Sequence, residues 1–172
     1  MSLFQRLLAW DAAWSRRLRV AERPGVLRTA AAMLAHSGDS WFWFVGLGLV
    51  WLRGDAAWKM RALVALVAVF VTAVGVMALK FTIRRRRPAG EWGGIYRTTD
   101  PHSFPSGHAA RAFLLAVLAW GMGTGWLAVV LAVWALLVAL ARVAMGVHYL
   151  SDVLAGMVVG LTMGGLTLAL MG

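Results

Sequence analysis

Cysteine is absent from the 172 residues, which removes disulfides, thiol nucleophiles and thiolate metal sites at once. Acidic residues are scarce: seven Asp and Glu stand against seventeen Lys and Arg, and after Asp100 the only acid is Asp152. No cluster with metal-ligand spacing is visible among so few carboxylates and four histidines, so no metal and no cofactor are expected. Charged residues of both signs make up only 14% of the chain and hydrophobic ones 61%, which excludes an ordinary soluble domain and points to a membrane protein. The net charge of +10 would suit nucleic acid in a soluble protein. Here the arginines stand beside apolar runs, where they meet anionic lipid head groups, and nucleic acid is not an expected partner.

Long apolar runs supply what the charges do not. A helix needs roughly 20 apolar residues to cross about 30 Å of hydrocarbon. Residues 62–79 and 153–172 carry no charge, and neither does the run 112–141, which is too long for one crossing and is divided by Gly121, Gly123 and Gly125 into a tight hairpin. The Trp-rich stretch 40–52 is short and spans only if it extends back through Gly38 and His36 toward Val26. The pattern predicts an all-α integral membrane bundle of five or six transmembrane helices, near 25–53, 56–82, 106–122, 125–146 and 150–171, the first broken around Ser37 and Gly38. Before them, Leu3, Leu7, Trp10, Trp14 and Leu18 recur at helical spacing, with Arg6, Ser15, Arg16 and Arg17 mostly on the other side. That predicts an amphipathic helix near 2–20, within an interfacial segment 1–23, lying in the membrane surface. Asp11 falls on the wrong face for this reading. Asp11 and the cluster Arg16, Arg17, Arg19 also argue against a cleaved signal. Gly156, Gly160 and Gly164 fall four apart and allow close helix approach, either within the chain or in a homodimer.

One long polar connection, 84–104, holds Pro88, Gly90, Gly93, Gly94 and Pro101, all turn or breaker residues. Alternating spans return this loop, the start of the next helix near 106 and the segment 142–152 to one face of the membrane. Three polar signatures therefore converge there. In the first, Lys80 lies close to two helical turns before Arg87, and Pro88 fixes the backbone after it, so both cations can face one anion. Arginine binds phosphate oxygens through two parallel hydrogen bonds and lysine adds a point charge. In the second, Pro105, Ser106, Gly107 and His108 turn into a helix whose first amides form an anion site, with a hydroxyl and a proton-shuttling imidazole beside it. In the third, Asp152 follows His148 by four residues, a helical spacing that brings its carboxylate to Nδ1 and presents Nε2 as a nucleophile. Arg142 ends the preceding helix, and Gly146 permits the bend that joins it to His148. His36 and His102 read as ordinary polar residues, and Arg111 either lines the pocket or snorkels.

Lys80 with six residues before Arg87-Pro88, then Pro105-Ser106-Gly107-His108, then Arg142 with His148 and Asp152 after it resemble the three signatures of the type 2 phosphatidic acid phosphatase (PAP2) superfamily. The resemblance covers about residues 56–172, which become the catalytic core of a single domain 1–172. It implies a metal-independent membrane phosphatase in which His148 forms a phosphohistidine, Asp152 orients it, and His108 protonates the leaving oxygen and later activates water. Lys80, Arg87, Ser106, Gly107 and Arg142 would hold the phosphate. The family commonly has serine before the third-signature arginine, where this chain has Ala141. The expected substrate is a lipid phosphate or diphosphate entering laterally from the bilayer: undecaprenyl diphosphate by preference, then phosphatidylglycerophosphate or phosphatidate. The expected location is the bacterial inner membrane, with the site facing the periplasm or exterior. The competing reading is a non-catalytic membrane protein that binds phosphorylated lipids, whose mark would be loss of His108, His148 or Asp152.

Overall fold

The computed structural model describes residues 2–90, 92 and 100–172, and among these the chain forms seven helices and no strand. The helices are α1 (Leu3–Arg17), α2 (Val26–Ser37), α3 (Ser40–Arg53), α4 (Ala56–Ile83), α5 (Gly107–Gly121), α6 (Trp126–Ala144) and α7 (Leu150–Ala169). Glu91 and residues 93–99, which include the turn signals Gly93 and Gly94 of the polar loop, lie outside the described residues. Three helices, α4, α6 and α7, are long and apolar enough to cross a membrane. Large apolar side chains such as Val67, Phe70, Leu136, Leu140, Val158 and Leu161 are exposed on the outside of the bundle. Helices with apolar outer faces and internally satisfied backbones are what a bilayer admits, so this is an integral membrane protein.

Two of the expected spans follow their sequence outline but are not helices long enough to cross a membrane. The stretch 106–122 forms a helix of 15 residues, about 22 Å long, which falls short of a full crossing. Its position explains this: α5 begins at Ser106 inside the bundle, and nine of its residues are buried by neighbouring helices. The stretch 25–53 is two helices of 12 and 14 residues, parted at Gly38 and Asp39 as the glycine had indicated. Ser37 anchors the break, because its carbonyl accepts from Trp43 Nε1 (3.0 Å) and its hydroxyl from Trp134 Nε1 (2.8 Å). A side chain at Gly38 would stand 3.1 Å from His108 Cδ2 and 3.3 Å from Val138 Cγ1, so glycine lets the break lie against α5 and α6.

The axis of the bundle is the contact between α5 and α7. Cβ atoms at Gly156 and Gly160 would fall 2.4 Å from the Ser106 carbonyl oxygen and 2.2 Å from that of Ala110. At Gly164 the nearest atom would be Val117 Cβ, at 2.7 Å. The small-residue stripe is thus used within the chain, where it lets backbone approach backbone. This contact also brings the Ser106 amide onto the Asp152 carbonyl at 2.9 Å, locking the starts of α5 and α7 together.

Helix α1 starts with a capping box, in which Ser2 and Gln5 exchange backbone and side-chain bonds. Leu3, Leu7, Trp10, Trp14 and Leu18 form an exposed stripe along it. Asp11 is not part of that exposed stripe. Its Oδ1 accepts the Ser151 amide (3.1 Å), and Ser15 Oγ accepts the Leu150 amide (2.9 Å), so one edge of α1 caps the N-terminus of α7. The residue that weakened the amphipathic pattern is therefore a docking residue. We expect Gly160→Ala to lower stability by about 1–3 kcal/mol, because backbone atoms of α5 would have to move. Gly165→Ala, with nothing within 4 Å of its Cβ, is expected to be neutral. Thermal unfolding of both variants in detergent checks this, and equal transitions would show that the close approach has slack.

Candidate active site

All three polar signatures meet at one end of the bundle. The end of α4 brings Lys80, the following segment Arg85 and Arg87, and the start of α5 Ser106, Gly107 and His108. The end of α6 brings Arg142, the next turn His148, and the first turn of α7 Asp152. Arg142, Asp152 and Ser106 are fully buried, with His148 at 1%, Lys80 at 3% and Arg87 at 4% exposure. Burying cations this deeply is unfavourable unless anions or hydrogen-bond acceptors meet them.

His148 sits in the turn between α6 and α7, which closes because Gly146 takes a left-handed conformation (φ 69°). Arg87 Nη1 donates to the Val147 carbonyl (3.0 Å) and stands 3.3 Å from His148 Nε2. Only an unprotonated Nε2 can face an N–H, so the proton of the neutral ring belongs on Nδ1. Nδ1 lies 3.6 Å from Asp152 Oδ2, longer than a hydrogen bond. The i, i+4 geometry expected for this pair is incomplete for a physical reason. His148 precedes the helix, and Asp152 Oδ2 already accepts the Tyr149 amide at 2.9 Å. Burial pushes the His148 imidazole well below its ordinary value, and the Arg142, Arg87 and Lys80 charges push the same way.

An acid that sequence reasoning did not select lies on the cations. Asp100 Oδ2 bonds to Lys80 Nζ and to Arg87 Nη2 (2.8 Å), while its carbonyl accepts from Arg87 Nε (2.7 Å). Burial would raise this carboxyl, but the Lys80 hydrogen bond and the Lys80 and Arg87 charges outweigh it and hold it below the ordinary range. Donors that hold a carboxylate oxygen in this way suit a phosphate oxygen equally.

His108 has a carboxylate of its own. Its Nε2 is 2.8 Å from Asp39 Oδ1, and the other oxygen of Asp39 is 3.1 Å from His36 Nδ1. Arg111, whose role was open, is buried and donates to the Gly38 carbonyl. Asp39 was legible in principle, since an acid inside an apolar stretch demands a partner. Asp39, His108, Arg111, Lys80, Asp100 and Gly107 line a cleft of about 450 Å³, which continues along α4 past Met77, Val76, Ala73, Thr72 and Val69. Ser106 caps α5, accepting the Ala109 amide at 3.5 Å. Ala141 is buried in an apolar cluster with Ala31, Ala35, Met145 and Val147, so its methyl is matched to its surroundings. Among the described residues, no three His, Asp or Glu side chains gather as a metal-binding set.

The family model of the PAP2 superfamily matches residues 58–172, which include all three signatures. The chain belongs to the PAP2 superfamily. PAP2 membership makes it a phosphatase, and hence a hydrolase. It is similar to the decaprenylphosphoryl-5-phosphoribose phosphatase of Mycobacterium tuberculosis, 34% identical over 148 residues, which are 86% of this chain and 81% of that protein. The Mycolicibacterium smegmatis enzyme of the same name is 34% identical over 138 residues, 80% of this chain and 74% of that one. Among solved structures, the transmembrane PAP2-type phosphatidylglycerolphosphate phosphatase of Bacillus subtilis superposes with a TM-score of 0.78 at 25% identity, covering 96% of this chain and 86% of that chain. Aquifex aeolicus LpxE shares the fold, with a TM-score of 0.71 at 24% identity over 90% of this chain and 93% of its own. The PAP2 match begins at residue 58, so Asp11 and Asp39 come from segments that precede it. For this PAP2 protein we expect the NMR titration of His148 in detergent to have its midpoint below the ordinary 6.5, because cations and burial both disfavour the imidazolium. A midpoint at or above 6.5 would contradict the described surroundings of the ring.

Proposed function

We propose that this PAP2 phosphatase removes the terminal phosphate from a polyprenyl-linked lipid through a phosphohistidine on His148. The observation that carries the reading is Nε2 of His148, buried 3.3 Å from an Arg87 N–H with its Nδ1 edge toward Asp152. The substrate phosphate takes the place of the Asp100 carboxylate on Lys80 and Arg87, and Arg142, Ser106 and the Gly107 amide complete its cradle. Nε2 attacks phosphorus as the bond to the lipid oxygen breaks. Cations that hold the equatorial oxygens stabilise the charge that spreads over them. His108 gives its proton to the leaving oxygen, then takes one from the water that attacks the phosphohistidine, releasing phosphate and restoring His148. Asp152 stabilises the positive charge on His148 during attack. Asp39 holds the ring of His108 and stabilises its protonated form.

The lipid is the part that relatives and shape support rather than the signatures. The apolar side of the cleft runs along α4 from Lys80 to Val69, a length of roughly 16 Å, which suits an acyl or prenyl chain entering sideways from the bilayer. Relatives named for decaprenylphosphoryl-5-phosphoribose, with 34% identity over most of the chain, favour a polyprenyl phosphoribose ahead of undecaprenyl diphosphate. Phosphatidylglycerophosphate is the second reading, favoured by the superposition on the Bacillus subtilis enzyme.

Purified protein assayed for phosphate release against decaprenylphosphoryl-5-phosphoribose, undecaprenyl diphosphate, phosphatidylglycerophosphate and phosphatidate tests the proposal. The first is expected to give the highest kcat/KM, and turnover is expected to continue in EDTA. His148→Ala should lose at least about a thousandfold in kcat, the order seen when a nucleophile is removed. Asp39→Asn should lose about tenfold to a hundredfold. Undiminished release by His148→Ala would sink the nucleophile assignment, and no release by the wild type from any of the four would favour a non-catalytic lipid binder.

A further inference from the structure

Arg85 belongs to the run Arg84–Arg87, in which spacing distinguished only Arg87, yet its position is specific. Its Nη1 donates to Asp152 Oδ1 and to Ser151 Oγ, both at 2.6 Å, and its Nη2 donates to Asp11 Oδ2 at 2.6 Å. Its guanidinium also lies 4.0 Å from the ring centroid of Tyr149. Ser151 closes the circuit: its hydroxyl is 2.5 Å from Asp11 Oδ2 and its amide 3.1 Å from Asp11 Oδ1. Arg84, by contrast, caps α4 in a left-handed conformation, its amide on the Lys80 carbonyl and its side chain on the Phe81 carbonyl.

The consequence for Asp152 is geometric. Its two oxygens are held in different directions, Oδ1 by Arg85 and Oδ2 by the Tyr149 amide, with the Ser103 side chain also bonded to the carboxylate, so Arg85 is one of three contacts that set its plane and its distance to His148. Arg85 is in turn fixed by Asp11, on a helix that lies wholly before the PAP2 match. A planar fork can bridge two carboxylates in this manner, which a lysine ammonium cannot reproduce.

We infer that Asp11 and Arg85 are positioning residues that aim Asp152 at His148, so that the Asp11–Arg85 contact, rather than the docking of α1 as such, is a condition of efficient catalysis. This rests on the reading of His148 as the nucleophile. Neither residue is placed on the phosphate, so the effect falls on the chemical step and leaves substrate binding nearly unchanged.

The test compares Asp11→Asn, Arg85→Gln and Arg85→Lys with Ser15→Ala in the full chain, using the best substrate found above. Ser15 holds the same helix junction through the Leu150 amide but makes no contact with Arg85 or Asp152 among the bonds described. The first three are expected to lower kcat by about ten- to a hundredfold, the range seen for partners that orient a reacting group, with KM changed less than about twofold. Ser15→Ala is expected to keep kcat within about twofold. The Asp11→Asn, Arg85→Gln double variant should be little worse than Arg85→Gln alone, since both act through one network. Competitive inhibition by inorganic phosphate should be unchanged in every variant. Loss of phosphate inhibition together with turnover, or an equal loss in Ser15→Ala, would show that the contact merely holds the fold and would overturn the inference. Wild-type turnover by Asp11→Asn and Arg85→Gln, with His148→Ala inactive, would overturn it while leaving the nucleophile in place. Activity in His148→Ala would remove the nucleophile and this inference with it.

Discussion

Three cations, Lys80, Arg87 and Arg142, are buried around one imidazole at the mouth of the helical bundle, and the rest of the structure answers to that arrangement. Like charges held together away from water repel one another and lose hydration, so they persist only where oxygens meet them. Asp100 meets Lys80 and Arg87, and the carbonyl of Val147 meets Arg87. The same field keeps His148 neutral, which is the state a nucleophile requires. In the proposed mechanism, one electrostatic constraint thus prepares both the anion site and the attacking atom.

The helices serve this constraint by delivering their ends to one place. Close approach of α5 and α7, made possible by glycine at 156 and 160, sets Ser106 against the start of α7 and thereby the PSGH turn against the His148 turn. A larger residue on that stripe would part the two halves of the cradle. Residues preceding the PAP2 match then complete the site from outside the signatures: Asp39 reaches His108, and Asp11 reaches Arg85 and Ser151. His148 thus has a carboxylate beside it from within the matched segment, and His108 one from the chain that precedes it.

Much of this was readable from residue spacing, and the reasons for the remainder are specific. Lys80, Arg87, Ser106, Arg142, His108 and His148 announced themselves because polar side chains are conspicuous in an apolar chain, and the fold gathers them at one end of the bundle. The break at Gly38 and the hairpin at Gly121 to Gly125 were visible for the same reason that glycine ends helices. Asp11, Asp39 and Asp100 were missed because their partners are distant in sequence: a carboxylate seen alone reads as an interruption, and its meaning comes from the cation or imidazole that the fold brings to it. The His148 to Asp152 spacing was read as helical, whereas the histidine lies in the turn before the helix, and the pair is correspondingly looser.

The central claim is that phosphorus becomes bonded to Nε2 of His148. The most direct measurement is rapid quenching of the wild-type protein during turnover of a lipid bearing a radiolabelled terminal phosphate, followed by peptide mapping under alkaline conditions. Acid-labile, alkali-stable label on the peptide that contains His148, and none in Asp152→Asn quenched at the same early time, is the predicted result. Label on another residue, or steady turnover with no protein-bound phosphate at any quench time, would contradict the account.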